Sequence, residues 1–348
     1  MNPYVLMILL SSLGLGTTLT FASSHWLLAW MGLEINTLAI IPLMAQHHHP
    51  RAVEATTKYF LTQATAAAVI MFASTTNAWL TGEWDMNNMS NPIANTMIIT
   101  ALALKIGLAP MHLWMPEVLQ GLDLTTGLIL STWQKLAPFA LIIQTAPMTN
   151  PLLLTTLGIL STLIGGWGGL NQTQLRKILA YSSIAHMGWM IIILQYAPKL
   201  TLIALGTYIF MTSTAFLTLK LLSATKINTL TMIWSKTPIL MTTTALVLLS
   251  LGGLPPLTGF MPKWLILQEL TKQNLPITAT IMALAALLSL YFYLRLCYAL
   301  TLTISPNTTN STTPWRTSTT QTSIPLAVST TIALGLLPMT PAILMLAT

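Results

Sequence analysis

Most of the chain alternates between apolar runs of about 20 residues and short polar segments, and a helix of about 20 residues crosses a bilayer core. We predict eleven membrane spans, at 3–21, 25–45, 53–80, 92–118, 124–146, 151–170, 175–195, 198–222, 238–271, 276–302 and 324–346. The pattern therefore predicts an all-α polytopic membrane protein.

The sequence contains an internal repeat. A shift of 146 residues aligns GLAPMHLWMPEVL, from Gly107, with GLPPLTGFMPKWL, from Gly253, and places Trp114 opposite Phe260. Spans 1–5 and 6–10 then form two repeats, and an odd number of spans per repeat predicts inverted topology. We divide the chain into a first five-helix repeat (1–147), a second inverted repeat (148–303) and a polar loop with the last helix (304–348).

Prolines interrupt the same two spans, Pro110 and Pro116 in the first copy and Pro256 and Pro262 in the second. Pro110 removes the amide that would bond the carbonyl of residue 106, and Pro116 removes the one for residue 112. Free carbonyls at membrane depth require a cavity lined by protein or water. We therefore predict two discontinuous helices at the functional site.

Composition narrows the class of protein. Only 6% of the residues are charged, 54% are hydrophobic and the mean hydropathy is +0.71, which is typical of an integral membrane protein. The net charge of +7 is scattered over short loops, so we expect contact with anionic lipid such as cardiolipin and no nucleic-acid partner. Cys297 is the single cysteine, which excludes a cysteine-ligated cluster, and no bound metal or cofactor is predicted. His47, His48 and His49 could capture a metal, but a solvated polar turn is favoured.

Basic residues are unevenly distributed over the predicted loops. The loops after spans 2, 6, 8 and 10 hold Arg51, Arg176, Lys177, Lys226, Lys236 and Arg316, whereas those after spans 3, 7 and 9 hold Glu83, Asp85, Lys199 and Lys272. The first set is predicted to face the inner side. The N-terminus then lies inside and the C-terminus outside.

Four ionisable residues fall deep within spans: Glu34, Lys105, Lys135 and Lys263. Unpaired, they would cost about 10 to 14 kcal/mol to insert, so a functional role is favoured over a structural one. A carboxylate beside a buried lysine favours its charged form, so a pair of Glu34 and Lys105 could hold and release a proton. His112 and His186, the latter on one helical face with Ser182 and Ser183, are candidate extensions of this proton relay, although a core histidine bonded to a hydroxyl is commoner.

Three motifs resemble one known family: LAPMHLWMPE at 108–117, LAYSSIAHMGW at 179–189 and LPPLTGFMPKW at 254–264. They are similar to the antiporter-like membrane subunits of respiratory complex I, and the resemblance covers the whole chain. It implies that Glu34 is the charge partner of Lys105 in the first broken helix, that Lys135 is a connecting lysine and that Lys263 lies near the proton exit. The bacterial relatives begin with three more helices.

The resemblance also implies the function. The chain would be a proton-translocating subunit of NADH:ubiquinone reductase, working beside other membrane-arm subunits, including neighbouring antiporter-like ones. NADH, FMN, iron–sulfur clusters and ubiquinone would be bound by partner subunits. The expected location is the mitochondrial inner membrane, with the N-terminus in the matrix and the C-terminus in the intermembrane space.

Two alternatives remain open. The first is a subunit that exchanges Na⁺ or K⁺ for protons, which shares the fold; the absence of a long lateral amphipathic helix after the last span argues against it. The second is a scaffold or receptor that transports nothing. Neutralising the deep charges excludes a scaffold if transport is lost while assembly persists.

Overall fold

The computed structural model describes residues 2–46, 49–232, 237–302 and 324–347. Several sequence expectations lie outside the described residues: His47, His48, Lys236, Arg316 and most of the polar loop. Throughout the described part of the chain the regular elements are helices, which confirms the predicted all-α class. The chain divides into two compact units, 1–161 and 162–348, and the division falls within one helix.

The first unit contains seven complete helices and the start of an eighth. They are α1 (Pro3–Ala22), α2 (Trp26–Met44), α3 (Pro50–Thr81), α4 (Pro92–Ile106), α5 (Trp114–Gly121), α6 (Leu124–Ser131), α7 (Trp133–Thr145) and α8 (Pro151–Gly169). Proline fits the first helical turn because its fixed φ suits the helix and the amide it lacks would be unpaired there. Four of these eight helices begin with proline.

The second unit continues from α8. It contains α9 (Leu175–Ile193), α10 (Pro198–Leu221), α11 (Ile227–Met232), α12 (Pro238–Gly252), α13 (Phe260–Lys272), α14 (Pro276–Thr301), α15 (Ile324–Gly335) and α16 (Thr340–Ala347). The predicted last span is not one straight helix, because α15 and the segment Leu337–Met345 are bent by 64° at a short break. Pro338 lies in the short 3₁₀ turn Leu337–Met339 between α15 and α16, where proline prevents a regular α-helix from continuing.

Within the described residues, six helical segments are long and apolar enough to cross a membrane. They are Pro3–Ala22, Trp26–Met44, Leu124–Met148, Pro151–Gly169, Pro198–Leu221 and Pro276–Thr301, and the bent pair at the C-terminus makes a seventh if it is one span. The count of eleven spans stays a prediction. Two of the predicted spans, the fourth and the ninth, are broken into α4 with α5 and α12 with α13, as the prolines indicated.

Loops at helix ends pair within each unit. His25 forms an antiparallel bridge with Asp85, and its ring stacks on Trp84 with the centroids 5.5 Å apart. In the second unit Gln174 forms the same kind of bridge with Lys226, so the loops after α8 and α10 meet. These pairings agree with the predicted assignment of the loops after spans 6 and 8 to one side.

A close helix crossing fixes α2 against α1. A Cβ atom on Gly16 would lie 2.4 Å from the side-chain oxygen of Asn36, and one on Gly32 would lie 2.6 Å from Thr20. Glycine at both positions lets the two backbones approach more closely than larger residues allow. The crossing sets the position of the middle of α2, which carries Glu34.

Candidate proton-transfer site

The first helix break is formed by glycine before any proline is reached. Gly107 has φ of +85°, a left-handed conformation that favours glycine, and it ends α4 directly after Ile106. The amides of Gly107 and Leu108 both donate to the carbonyl of Ala103, at 2.9 Å each. Pro110 therefore lies in a loop that has already left the helix.

Pro116 does not free the carbonyl of His112, and that expectation is wrong. Pro116 is the third residue of α5, where the backbone amides have no partner within the helix, so its missing amide breaks no helical hydrogen bond. The His112 carbonyl accepts from the amide of Met115 at 3.0 Å. The break is thus made of two capped helix ends rather than one helix with missing hydrogen bonds.

Side chains satisfy the next carbonyls at the end of α4. The indole Nε1 of Trp114 donates to the carbonyl of Leu104 at 3.0 Å. The amide of Gln63, on α3, lies 3.5 Å from the carbonyl of Lys105. Both donors are carried by other helices, so α3 and α5 hold the turn of α4 that carries Lys105.

Lys105 and Glu34 lie together, as the sequence predicted. The Lys105 Nζ is 3.5 Å from the Glu34 Oε1, and the side chains of the lysine and the glutamate are 2% and 23% exposed. Thr37, one turn later on α2, has its hydroxyl 3.4 Å from the other carboxylate oxygen. At 3.5 Å the ion pair is longer than the usual 2.7–2.9 Å of a charge-assisted hydrogen bond, so a small movement of the lysine makes or breaks it.

Lys105 and Lys135 line the same cavity, which has both polar and apolar walls. It leaves about 20 Å³ in which the centre of a water molecule can lie, and the polar residues that line it are Asn36, Thr37, Tyr59, Gln63, Lys105, Gln134 and Lys135. Lys135 is 3% exposed and lies in the first turn of α7, three residues before Pro138. The Nε2 atom of Gln134 donates to the carbonyl of Asn36 at 3.2 Å, which ties α7 to α2 across the cavity.

The second break is also capped by a glycine, but its lysine contacts a backbone carbonyl rather than a carboxylate. Gly253 has φ of +84° and ends α12, and its amide donates to the carbonyls of Leu249 and Ser250 at 3.1 and 2.9 Å. The ammonium of Lys263, on α13, donates to the carbonyl of Gly252 at 2.7 Å. Lys263 therefore bridges the two halves of its own broken helix.

The two candidate histidines have different surroundings. His112 lies in the first break with its Nδ1 3.2 Å from the carbonyl of Pro110. His186 lies in the second unit, in a smaller cavity that is also lined by Lys263. The hydroxyls of Ser182 and Ser183 donate to the carbonyls of Leu179 and Ala180 within α9.

The sequence reasoning did not select Gln63, Gln134 or Trp114 as site residues. Each lies beside a selected residue in space, but Gln63 is 42 positions from the Lys105 it contacts. The sequence did contain a signal for Trp114. The repeat aligns it with Phe260, and of the two aromatic side chains only the tryptophan carries an N–H donor.

Comparisons with known families cover nearly the whole chain. Residues 23–289 match the family model described as NADH:quinone oxidoreductase/Mrp antiporter, TM, and residues 290–344 match NADH dehydrogenase subunit 2 C-terminus. Proteins named NADH-ubiquinone oxidoreductase chain 2 from Carassius auratus and Danio rerio are 84% and 78% identical over 348 residues, which is the full length of both chains in each case.

Solved structures show the same fold. A chain of respiratory complex I from Thermus thermophilus, with bound aureothin, matches with a TM-score of 0.85 and 28% identity, over 97% of this chain and 78% of that one. A chain of the Mrp complex from Dietzia matches with a TM-score of 0.83 over 96% of this chain and 75% of that one, at 14% identity. The second likeness is one of fold alone.

Proposed function

Because this chain belongs to the NADH:quinone oxidoreductase/Mrp antiporter membrane family, we propose that it translocates protons as an antiporter-like core subunit of respiratory complex I. The observation that carries the proposal is the Lys105–Glu34 pair beside a broken helix. A lysine that is almost completely buried is expensive to keep charged, and such residues in membrane proteins mark proton relays and ion paths.

The Lys105–Glu34 pair acts as the switch. With the carboxylate close, the ammonium form of Lys105 is stabilised and the proton is held. When the pair opens, the buried charge loses its counter-ion and the proton leaves for the next acceptor. The ammonium and the carboxylate act as one unit in this proposal, because they interact at close range.

The cavity provides the route from Lys105 to Lys135. A buried water needs about 10–15 Å³ of space for its centre, so the 20 Å³ of the cavity accommodates one or two waters. The amides and hydroxyls of Asn36, Gln63, Gln134 and Thr37 supply the polar partners that buried water needs. Protons then pass between the two lysines along water and polar side chains, without a metal or a nucleophile.

In the second unit, Lys263 and His186 form the corresponding part of the relay. They line one cavity with Ser182, Ser289 and Tyr293. The ammonium of Lys263 caps the Gly252 carbonyl, so loss of its proton weakens the link between the two halves of the broken helix. Proton release and movement of α13 are therefore coupled in this proposal. His112 extends the relay in the first unit, at the break between α4 and α5.

The redox chemistry belongs to partner subunits. We propose that NADH, FMN, the iron–sulfur clusters and ubiquinone are bound elsewhere in the complex, and that this chain binds none of them. Its one thiol, Cys297, cannot supply the four cysteine ligands that an iron–sulfur cluster takes. Neighbouring antiporter-like subunits of the membrane arm are its proposed partners, and Glu34 is the most exposed of the four deep charges.

Charge is segregated along the chain in a way that suits a lipid contact. Unit 1 has four basic and six acidic residues, whereas residues 162–348 have ten basic residues and a single acidic one, Glu269. Lys226 is exposed and forms a bridge with Gln174. Arg176 follows Gln174 by two residues, so it belongs to the same pair of loops. Anionic headgroups, as in cardiolipin, supply the missing negative charge at this end of the unit.

The same basic loops support an orientation in the mitochondrial inner membrane with the N-terminus in the matrix and the C-terminus in the intermembrane space. Single cysteines placed at 171–177 and 81–91 are expected to react with a membrane-impermeant reagent from opposite sides, with Cys297→Ser as the parent. Cysteines at 46–51 are expected to label from the same side as 171–177. Labelling of 81–91 and 171–177 from one side would refute the inverted repeat.

Replacing Lys135 tests the proposed function. Lys135→Met keeps an unbranched side chain that is one atom shorter and removes the only charge of α7, so proton pumping by the complex in vesicles is expected to fall by about tenfold or more. Lys199→Met, an exposed residue near the start of α10, is the matched control and is expected to pump normally. Normal pumping by Lys135→Met at equal complex content would exclude the relay. Na⁺- or K⁺-dependent proton uptake by the parent complex would instead indicate cation exchange.

A further inference from the structure

At both helix breaks, a side chain donates a hydrogen bond to a carbonyl near the end of the first half-helix, but the donors differ. In both, glycine turns the chain and leaves carbonyls at the end of the first half-helix with few backbone partners. In the second unit the Lys263 ammonium takes the Gly252 carbonyl at 2.7 Å. In the first unit the residue at the repeat position of Lys263 is Glu117, and a carboxylate cannot donate to a carbonyl.

Trp114 supplies a side-chain donor at the first break, but to a carbonyl two residues earlier than the one Lys263 caps, because the shift of 146 aligns Leu104 with Ser250 and Ile106 with Gly252. Its indole Nε1 donates to the Leu104 carbonyl at 3.0 Å, and that carbonyl otherwise has only the Gly107 amide, which it shares with Ala103. The indole is 8% exposed and meets the ring of Tyr59 edge-on, with the centroids 5.8 Å apart. The repeat equivalent of Trp114 is Phe260, which has no N–H group, and the Ser250 carbonyl, equivalent to that of Leu104, accepts from the Gly253 amide, whereas Lys263 caps Gly252.

A lysine in the last turn of a helix readily bonds the last carbonyls of that helix. Lys105 is the only basic residue in the last turn of α4, so its ammonium is the natural competitor for these carbonyls. Instead, its Nζ lies 3.5 Å from Glu34. Donors from Trp114 and Gln63 already occupy the carbonyls of Leu104 and Lys105.

We propose that Trp114 is a positioning residue: by capping the Leu104 carbonyl, its indole N–H keeps the Lys105 ammonium available to Glu34. Lys105 is thereby a mobile proton carrier, whereas Lys263 is committed to a structural contact in the resting arrangement. Gln63 assists through the Lys105 carbonyl. This inference rests on the proposed proton-transfer role of the pair.

Trp114→Phe in the assembled complex tests the inference. The ring that packs on Tyr59 is retained and the N–H is lost, so Lys105 turns toward the freed carbonyl. Turnover and proton pumping are expected to fall about two- to tenfold, the equivalent of one hydrogen bond, with the KM for quinone unchanged. Trp79→Phe, the same substitution at a side chain that is 86% exposed on α3, is expected to leave both unchanged.

A coupling measurement separates positioning from a general loss of structure. The further loss caused by Glu34→Gln is expected to be smaller in the Trp114→Phe background than in the parent, because the Glu34–Lys105 contact is already weakened. Equal further losses in the two backgrounds, or normal turnover by Trp114→Phe, would overturn the inference. If Trp114→Phe reduces the content of complex, the same measurements on Gln63→Met decide, with the same direction expected.

The proposed function can fail separately. If Lys105→Met pumps normally, the relay itself is wrong and the positioning role falls with it. If Lys105→Met stops pumping while Glu34→Gln causes the same further loss in the Trp114→Phe background as in the parent, only the positioning role is wrong.

Discussion

Lys105→Met is expected to reduce proton pumping and the coupled turnover of complex I by about tenfold or more while the complex still assembles. Methionine fills a similar volume, and the carboxylate that loses its counter-ion, Glu34, is 23% exposed, so the fold is expected to persist. The loss comes from the chemistry, because the cavity no longer contains a group at this position that accepts and releases a proton.

The measurement is the pH gradient formed by reconstituted vesicles at equal content of complex. Lys272→Met is the matched control, because its side chain is 61% exposed and its partner, Glu269, lies on the same helix. The control is expected to pump at the parent rate. Unchanged pumping by Lys105→Met would remove this residue from the proton path.

Gly259→Ala is expected to prevent the second unit from folding and to reduce the assembled complex to a small fraction of its normal content. A Cβ atom there would lie 1.7 Å from the carbonyl oxygen of Ser250, far inside van der Waals contact. The neighbour is backbone at the end of α12 and cannot rotate away, unlike a flexible side chain. Overpacking typically costs about 1–3 kcal/mol, and a clash with fixed backbone is a severe case of it.

Gly206→Ala is the matched control for this substitution. Gly206 lies in α10, and a Cβ atom added there would meet no other atom within 4 Å, so alanine adds helix propensity without a contact. Its complex content and thermal midpoint are expected to equal or slightly exceed those of the parent. Normal assembly of Gly259→Ala would show that the close approach of the break loop to α12 is not required.

The sequence predicted the helical class correctly and made the buried charges visible, because those signals are local. Apolar runs give the helices, and a lysine within such a run is visible without any knowledge of its neighbours. Charge predicted that Glu34 would pair with a deep lysine, since two isolated charges in an apolar core cost more than a pair, and the family resemblance implied that the lysine is Lys105. The structure places them 3.5 Å apart.

Other features depend on contacts that no local pattern reports. The prolines correctly indicated the breaks but not their mechanism, which is a glycine cap at Gly107 and Gly253. Gln63 and Gln134 reach carbonyls 42 and 98 residues away, so their roles appear only after the helices pack. The bend in the last helix was also missed. The pattern of apolar runs predicted one straight span and took no account of proline within the run.

A double-mutant cycle on pumping rate tests whether Glu34 and Lys105 work as one proton-transfer unit. Residues that act as a unit give non-additive losses. Glu34→Gln combined with Lys105→Met is expected to lose little more pumping than the worse single variant. Fully additive losses, with the effect of each substitution unchanged by the other, would contradict it and show that the two charges serve separate steps.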